Sequence, residues 1–325
     1  MTAENIAAVL HGIDDLRVEP FPLSEAPGKG CVRVAIKAVG ICGSDVHMLK
    51  KGRIAHFVVE KPMVTGHESA GEVVAVGEGV TSLQVGDRVA LEPGIPCCSS
   101  RHMREGRYNL DPSIEFFATP PVHGSLATFV DHPAEWCYQL PPGLSFEEGA
   151  LCLVALLSAR AFGADAIAIT DLKASNLSLA TWLGADAAVL IEAQQQAPQA
   201  IADALLAANA GVGFDIVIDC AGFQQSMQVA LRSCVSGGKV VLVGMGQETM
   251  ALNLIEACIR EVDILGCFRY CNTYPLCLSL LSSGRVDLKP LITHRFGFSE
   301  EEVLQGFDTA FRADATGAIK VMFNL

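Results

Sequence analysis

Two adjacent side chains, His67 and Glu68, sit between glycines in the run Gly66-His67-Glu68-Ser69-Ala70-Gly71, with Val73, Val76, Gly77 and Val80 following. Upstream, Gly40-Ile41-Cys42-Gly43-Ser44-Asp45-Val46-His47 brings a thiol, a hydroxyl and a second imidazole. Cys, His and Glu are the ligand types a catalytic zinc uses when one position stays open for water or substrate. A lone His-Glu pair would be an ordinary structural feature. Here Cys42 lies upstream and Gly86-Asp87-Arg88-Val89 downstream, so metal chemistry is the stronger reading.

Positioning such groups takes a scaffold, and the chain supplies two kinds. Val32–Val39, Glu72–Val76 and Asp87–Leu91 alternate or are β-branched, and Gly77, Gly79 and Gly86 punctuate them, as in a small antiparallel barrel. Pro93–Pro121 is long, polar and irregular, a length usually reserved for functional or metal-tied loops. Ser145 and Glu148 form a capping box, so one helix is expected from there to Phe162, with Gly163 at its end. Strands are then expected at Ala166–Thr170, Ala187–Leu190, Phe214–Asp219 and Lys239–Gly244. Helices Ala174–Leu183 and Gln225–Ser233 lie between them. Such alternation predicts an α/β doubly wound parallel sheet. Helices and a last strand, Ala318–Phe323, close the chain.

A chain of 325 residues, half of them hydrophobic, is expected to divide into two domains. The net charge of −13 argues against nucleic acid and anionic membrane surfaces as partners. The twelve cysteines are scattered without a framework spacing, and Met1–Leu10 has no signal-peptide character, so reduced thiols and a cytoplasmic location are expected.

The spacing from Gly66 to Val80 matches the zinc alcohol dehydrogenase pattern. The chain resembles zinc-dependent medium-chain dehydrogenases, in particular the sorbitol (L-iditol 2-) dehydrogenases of plant or algal type. The likeness runs nearly end to end, through Gly106-Arg107-Tyr108-Asn109-Leu110, Phe116-Phe117-Ala118-Thr119-Pro120-Pro121, Phe268-Arg269-Tyr270 and Lys289–Phe296. It implies a GroES-like β-barrel catalytic domain (1–152), a Rossmann-type cofactor domain (153–271) and a return to the catalytic domain (272–325). It implies Cys42, His67 and Glu68 as ligands of one Zn2+, Glu68 being the least secure, and Ser44 and His47 as a proton relay. Phe116, Thr119, Arg269 and Tyr270 would line the polyol site. Asp171 would bind the adenosine ribose and favour NAD, while Val243, Gly244, Met245, Phe268 and Arg269 would meet the cofactor. The implied reaction is oxidation of sorbitol or a related secondary alcohol to a ketose. L-Idonate and xylitol are near neighbours as substrates, and the implied assembly is a homo-oligomer, tetramer or dimer.

Three departures qualify the resemblance. Relatives place four cysteines around a structural zinc; here Cys97 stands with Ser100, Met103 and Asp111, so no structural zinc is expected. Met48 stands where relatives carry a tyrosine. The third is larger: no G-x-G-x-x-G occurs, and Cys152 runs directly into Leu153–Gly163, which resembles the helix after that loop. On the order of thirty residues are absent, enough for one strand, its loop and part of a helix. Two rival expectations follow: a catalytically impaired isoform serving as a non-enzymatic oligomer partner, and a metal-free, quinone-reductase-like relative.

Overall fold

A computed structural model of the chain describes residues 4–150, 155–192 and 197–325. These form two compact units, Met1–Cys152 with Cys271–Leu325, and Leu153–Tyr270.

The first unit is mainly β. A hairpin of β1 (Ile6–Gly12) and β2 (Asp15–Pro20) precedes the long strand β3 (Cys31–Ile41), which runs into helix α1 (Gly43–Lys51). The short strands β4 (Arg53–Ile54), β5 (Phe57–Val58) and β6 (Met63–Val64) lead to β7 (Glu68–Val76) and β8 (Arg88–Leu91). The segment read as irregular holds β9 (Gly94–Ile95), the one-turn helix α2 (Arg101–Arg104) and β10 (Glu115–Phe116). After it come β11 (Phe129–Pro133), β12 (Cys137–Gln139) and α3 (Phe146–Ala150), where Ser145 and Glu148 do form the capping box.

The main sheet runs β12-β8-β7-β3 and continues into two strands from the chain's end, β19 (Lys320–Asn324) and β18 (Ile292–Phe296); β11 also pairs with β3. β18 and β19 are parallel, so this barrel is not wholly antiparallel. β3 lies at its centre, and its Val34, Ile36 and Val39 are at most 1 % exposed. They pack with Val73, Leu91, Val321, Phe323 and Phe307. Close strand contact explains one glycine: a Cβ at Gly71 of β7 would collide with the Ala35 carbonyl. The sheet is thus bonded on both sides of β3, and the residues that flank α1 are fixed by it.

The second unit is α/β: α4 (Ala155–Ala161), β13 (Ala168–Asp171), α5 (Ala174–Trp182), β14 (Ala187–Leu190), α6 (Pro198–Ala208), β15 (Phe214–Asp219), α7 (Gln224–Ser233), β16 (Cys234–Leu242), α8 (Leu254–Cys258) and β17 (Asp263–Gly266). Every strand pair is parallel. Among the described residues, however, the sheet is in two pieces: β13 pairs only with β14, and β15-β16-β17 form a separate three-stranded sheet. A complete doubly wound sheet runs 3-2-1-4-5-6. Here β13-β14 and β15-β16-β17 stand as separate pieces, and no described strand bonds one to the other. Strands in such a sheet should be buried on both faces. Instead Ile216 and Ile218 of β15 are 61 % and 40 % exposed, and Ile264 and Leu265 of β17 are 40 % and 43 %. The single helix expected across Ser145–Phe162 passes through residues 151–154, outside the described ones.

The chain then returns to the first unit as α9 (Tyr274–Ser282), β18, α10 (Glu300–Phe311), α11 (Ala313–Thr316) and β19. Tyr108 pins that return: its hydroxyl accepts from the Asn272 amide at 2.7 Å and donates to the buried carboxylate of Glu92 at 2.5 Å.

Candidate metal centre

Cys42 is the residue before α1, His67 immediately precedes β7 and Glu68 opens it, so the end of one central strand and the start of its neighbour bring the three together. Their donor atoms lie within 4.8 Å of one another, the one such cluster among the described residues. Asp45, 2 % exposed, organises it. Its Oδ2 accepts from the Cys42 amide at 3.1 Å, and its Oδ1 accepts from the Gly66 amide at 3.1 Å and faces His67 Nδ1 at 3.4 Å. With Nδ1 held by a carboxylate, Nε2 is the nitrogen left for a metal. Burial alone would depress the His67 pKa; Asp45 and Cys42 outweigh it and hold the imidazole well above its usual value. Burial likewise opposes ionisation of the Cys42 thiol, but the bond from His67 brings it below the ordinary thiol range. A raised imidazole pKa means that zinc binding there would displace the imidazolium proton.

Glu68 is 5 % exposed, and both its oxygens are taken by Lys320 Nζ of β19, at 2.7 and 3.0 Å. Gly40 in β3 makes room for it, since a Cβ there would collide with Glu68 Oε2. Ser44 Oγ lies 3.5 Å from His67 Nε2, on the side where a metal would sit. His47, three residues along α1, is exposed. It helps line a surface pocket with Gly43, Lys50, Lys51 and Phe311. Burial, with Lys51 nearby, lowers its pKa. Phe116 is 8 % exposed and its ring centroid stands 5.9 Å from that of His67. Thr119 closes the same turn, its amide donating to the Phe116 carbonyl at 3.0 Å. Met48, which replaces a tyrosine of the relatives, is 4 % exposed and packs into the core of the first unit.

Residues 28–142 match the alcohol dehydrogenase GroES-like domain, and residues 150–283 match the zinc-binding dehydrogenase family. The sorbitol dehydrogenase of Arabidopsis thaliana is 49 % identical over 352 aligned positions, covering 99 % of this chain and 96 % of the relative. The chain belongs to the zinc-dependent medium-chain dehydrogenases. Within these dehydrogenases it stands with the sorbitol dehydrogenases, although the L-idonate 5-dehydrogenase of Vitis vinifera is also 45 % identical, over 99 % of the chain and 95 % of that protein. Among solved structures, an oxidoreductase of unknown specificity from Escherichia coli superposes with a TM-score of 0.89 at 29 % identity, covering 99 % of each chain.

The Arabidopsis comparison also measures what this dehydrogenase lacks. Its 352 aligned positions exceed the 325 residues of the chain, so the relative carries at least 27 residues without a counterpart here.

In that unit Asp171 ends β13, its carboxylate accepting from the Lys173 amide at 2.8 Å and from Asn176 Nδ2 at 3.1 Å. Val243, Gly244 and Met245 follow β16. Gly244 presses against the backbone of Ala221 and Gly222, so closely that a Cβ would clash. Arg269 lies over the Phe268 ring at 4.7 Å, and Tyr270 follows it. These residues belong to the second unit, Cys42, His67 and Glu68 to the first.

The 97–111 lobe is tied by hydrogen bonds. Asp111 accepts from the Cys97 amide at 3.1 Å and from the Ser113 amide and hydroxyl at 2.9 and 2.7 Å. The Ser113 hydroxyl chiefly lowers the Asp111 pKa, to about 2. Ser100 caps α2 by accepting from the Met103 amide. Two organising residues escaped the sequence reading. Asp45 was recoverable, because an acid three residues after a helix-capping position commonly bonds back to it. Lys320 was not: 252 residues separate it from Glu68.

Proposed function

We propose that this chain is a polyol dehydrogenase of the sorbitol type whose Cys42, His67 and Glu68 hold one zinc ion and whose 97–111 lobe holds none. The gathering of the three donors around a buried Asp45 carries this reading. Zinc supplies there the Lewis acidity that makes a secondary alcohol ionise near neutrality. Asp45 keeps His67 in the tautomer that presents Nε2. Ser44 takes the alcohol's proton and passes it to His47, whose lowered pKa leaves it neutral and able to accept near neutral pH. In the first unit Phe116 would give the substrate an apolar wall and Thr119 a polar contact for further hydroxyls. The polyol is sorbitol, with L-idonate and xylitol as neighbours, and the working form is a homo-oligomer.

The nicotinamide cofactor fits less well. Asp171 offers the carboxylate for the adenosine ribose, and Val243–Met245 with Phe268 would meet the other end. The pyrophosphate, however, needs the amides of a glycine turn after the first strand, and this chain has no such turn. That supports a second reading, a zinc-loaded chain that acts as an oligomer partner with little turnover of its own. The deciding experiment gives purified chain sorbitol and NAD and follows NADH, with zinc counted by atomic absorption. NADH formation that Cys42→Ser abolishes, at one zinc per chain, upholds the enzyme. One zinc per chain without NADH, and no heat on titration with millimolar NAD, upholds the partner. A second zinc per chain, or none retained on dialysis, sinks the metal assignment.

A further inference from the structure

We propose that Cys97 and Cys98 form a two-thiol site that captures a trivalent arsenical, a soft centre carrying one organic group of its own. The site rests on the reading that the 97–111 lobe holds no zinc. Both thiols are exposed and neither is in a disulfide. They are consecutive, so one peptide sets the span between them. Their Cα atoms are about 3.8 Å apart, below the roughly 4.4 Å at which unstrained disulfides begin. A direct S–S bond is therefore disfavoured, and an atom placed between the two sulfurs relieves the ring.

The backbone of Cys97 is held at both ends. Its amide donates to the Asp111 carboxylate at 3.1 Å, and its carbonyl accepts from the Ser100 amide at 3.0 Å, which closes a turn with Cys98 and Ser99 at the corners. Cys97 Sγ lies 3.2 Å from Ser99 Oγ. That hydroxyl, followed by the Ser99 amide, holds the Cys97 thiol below its ordinary range. The thiolate is the form that binds a soft centre. Burial pushes the thiols of Cys31, Cys137, Cys220, Cys234, Cys271 and Cys277 the other way. The donor count then selects the ligand. Zinc in a structural site takes four donors. Here the turn offers two sulfurs, and both oxygens of Asp111 are engaged, one with the Cys97 amide and the other with Ser113. A trivalent arsenic that already bears an aryl or alkyl group takes two further bonds, which two thiols satisfy. With an organoarsenic oxide, two S–As bonds form and the arsenic–oxygen bond breaks. The oxygen leaves with both thiol protons as one water, and no electrons are transferred.

The test titrates the full-length chain with phenylarsine oxide after its zinc has been counted by atomic absorption. One arsenic per chain is expected by intact mass spectrometry, with two thiols lost from a colorimetric count and the adduct mapped to the peptide that holds Cys97 and Cys98. Cys97→Ser and Cys98→Ser, both at exposed positions, should each weaken capture about a hundredfold with circular dichroism unchanged, because the second sulfur binds intramolecularly. A small dithiol should release the arsenical, and excess glutathione, a monothiol, should not. Capture that either serine variant leaves intact, an adduct mapped to other cysteines such as Cys220 and Cys267, or no uptake by a chain with at most one zinc overturns the proposal alone. Two zinc ions per chain before titration overturn the reading of the lobe, and the proposal with it.

Discussion

Replacing Asp45 by Asn tests the metal centre most directly, because it keeps shape and removes charge. Asp45 makes three contacts: Oδ1 serves Gly66 N–H and His67 Nδ1, and Oδ2 serves Cys42 N–H. An asparagine can keep its oxygen on the His67 side, but its NH2 then faces the Cys42 amide, donor against donor. An unsatisfied buried pair of this kind costs roughly 1–3 kcal/mol. That loss should appear in urea denaturation of the metal-free protein. Losing the carboxylate behind a metal-binding histidine typically costs 10- to 100-fold in affinity. Zinc affinity should fall by about that factor, measured by competition with a chromophoric chelator. The pH dependence works in the opposite sense. Asp45 helps hold the metal-free imidazole well above its usual pKa, so in the parent chain zinc must displace a proton and binding tightens as pH rises through that value. In Asp45→Asn this window moves to lower pH, so the full loss is seen only above the parent's titration. An unchanged zinc affinity at high pH, or an unmoved proton release on binding, would refute the role given to Asp45.

Lys320→Met leaves the Glu68 carboxylate buried and alone, which should cost on the order of 3–5 kcal/mol in denaturant unfolding; Lys320→Arg should recover most of it. Gly40→Ala drives a methyl group into the same carboxylate, so zinc content after dialysis should fall while the α-helical circular dichroism signal holds. His132 is fully buried, with Nε2 on the Glu92 carbonyl at 2.8 Å, and burial lowers its pKa to about 4. Its depressed value means the unfolded chain takes up the proton first. Stability is therefore complete above about pH 6.5 and declines by roughly 3 kcal/mol as pH falls toward 4. His132→Phe should flatten the stability profile over that range by about this amount relative to the parent.

The barrel strands were legible because β3, β7 and β8 carry β-branched alternation, and the gathering of Cys42, His67 and Glu68 because three ligand types recur at a known spacing. The boundaries of β13 and β16 shifted by a few residues, where neighbouring strands and not local propensity decide how far a ladder runs. Lys320 was invisible, since nothing local marks a lysine on a closing strand as the counter-ion of Glu68. The absent glycine motif predicted lost ladder partners, and the split sheet agrees. The lobe around Asp111 was read only as missing three thiolates. That its carboxylate gathers the Cys97 and Ser113 amides depends on a loop geometry that spacing does not encode.

The divided sheet also has a thermal consequence. Among the described residues the first unit has a large core around β3, whereas those of the second unit pack in small, separate clusters. Parts with few buried contacts open at lower cost than the whole. Heating should therefore produce two transitions instead of one: exchange and proteolysis should first report the region from Leu153 to Tyr270, while the unit that carries Cys42, His67 and Glu68 stays folded. A single melting temperature would not describe such a chain.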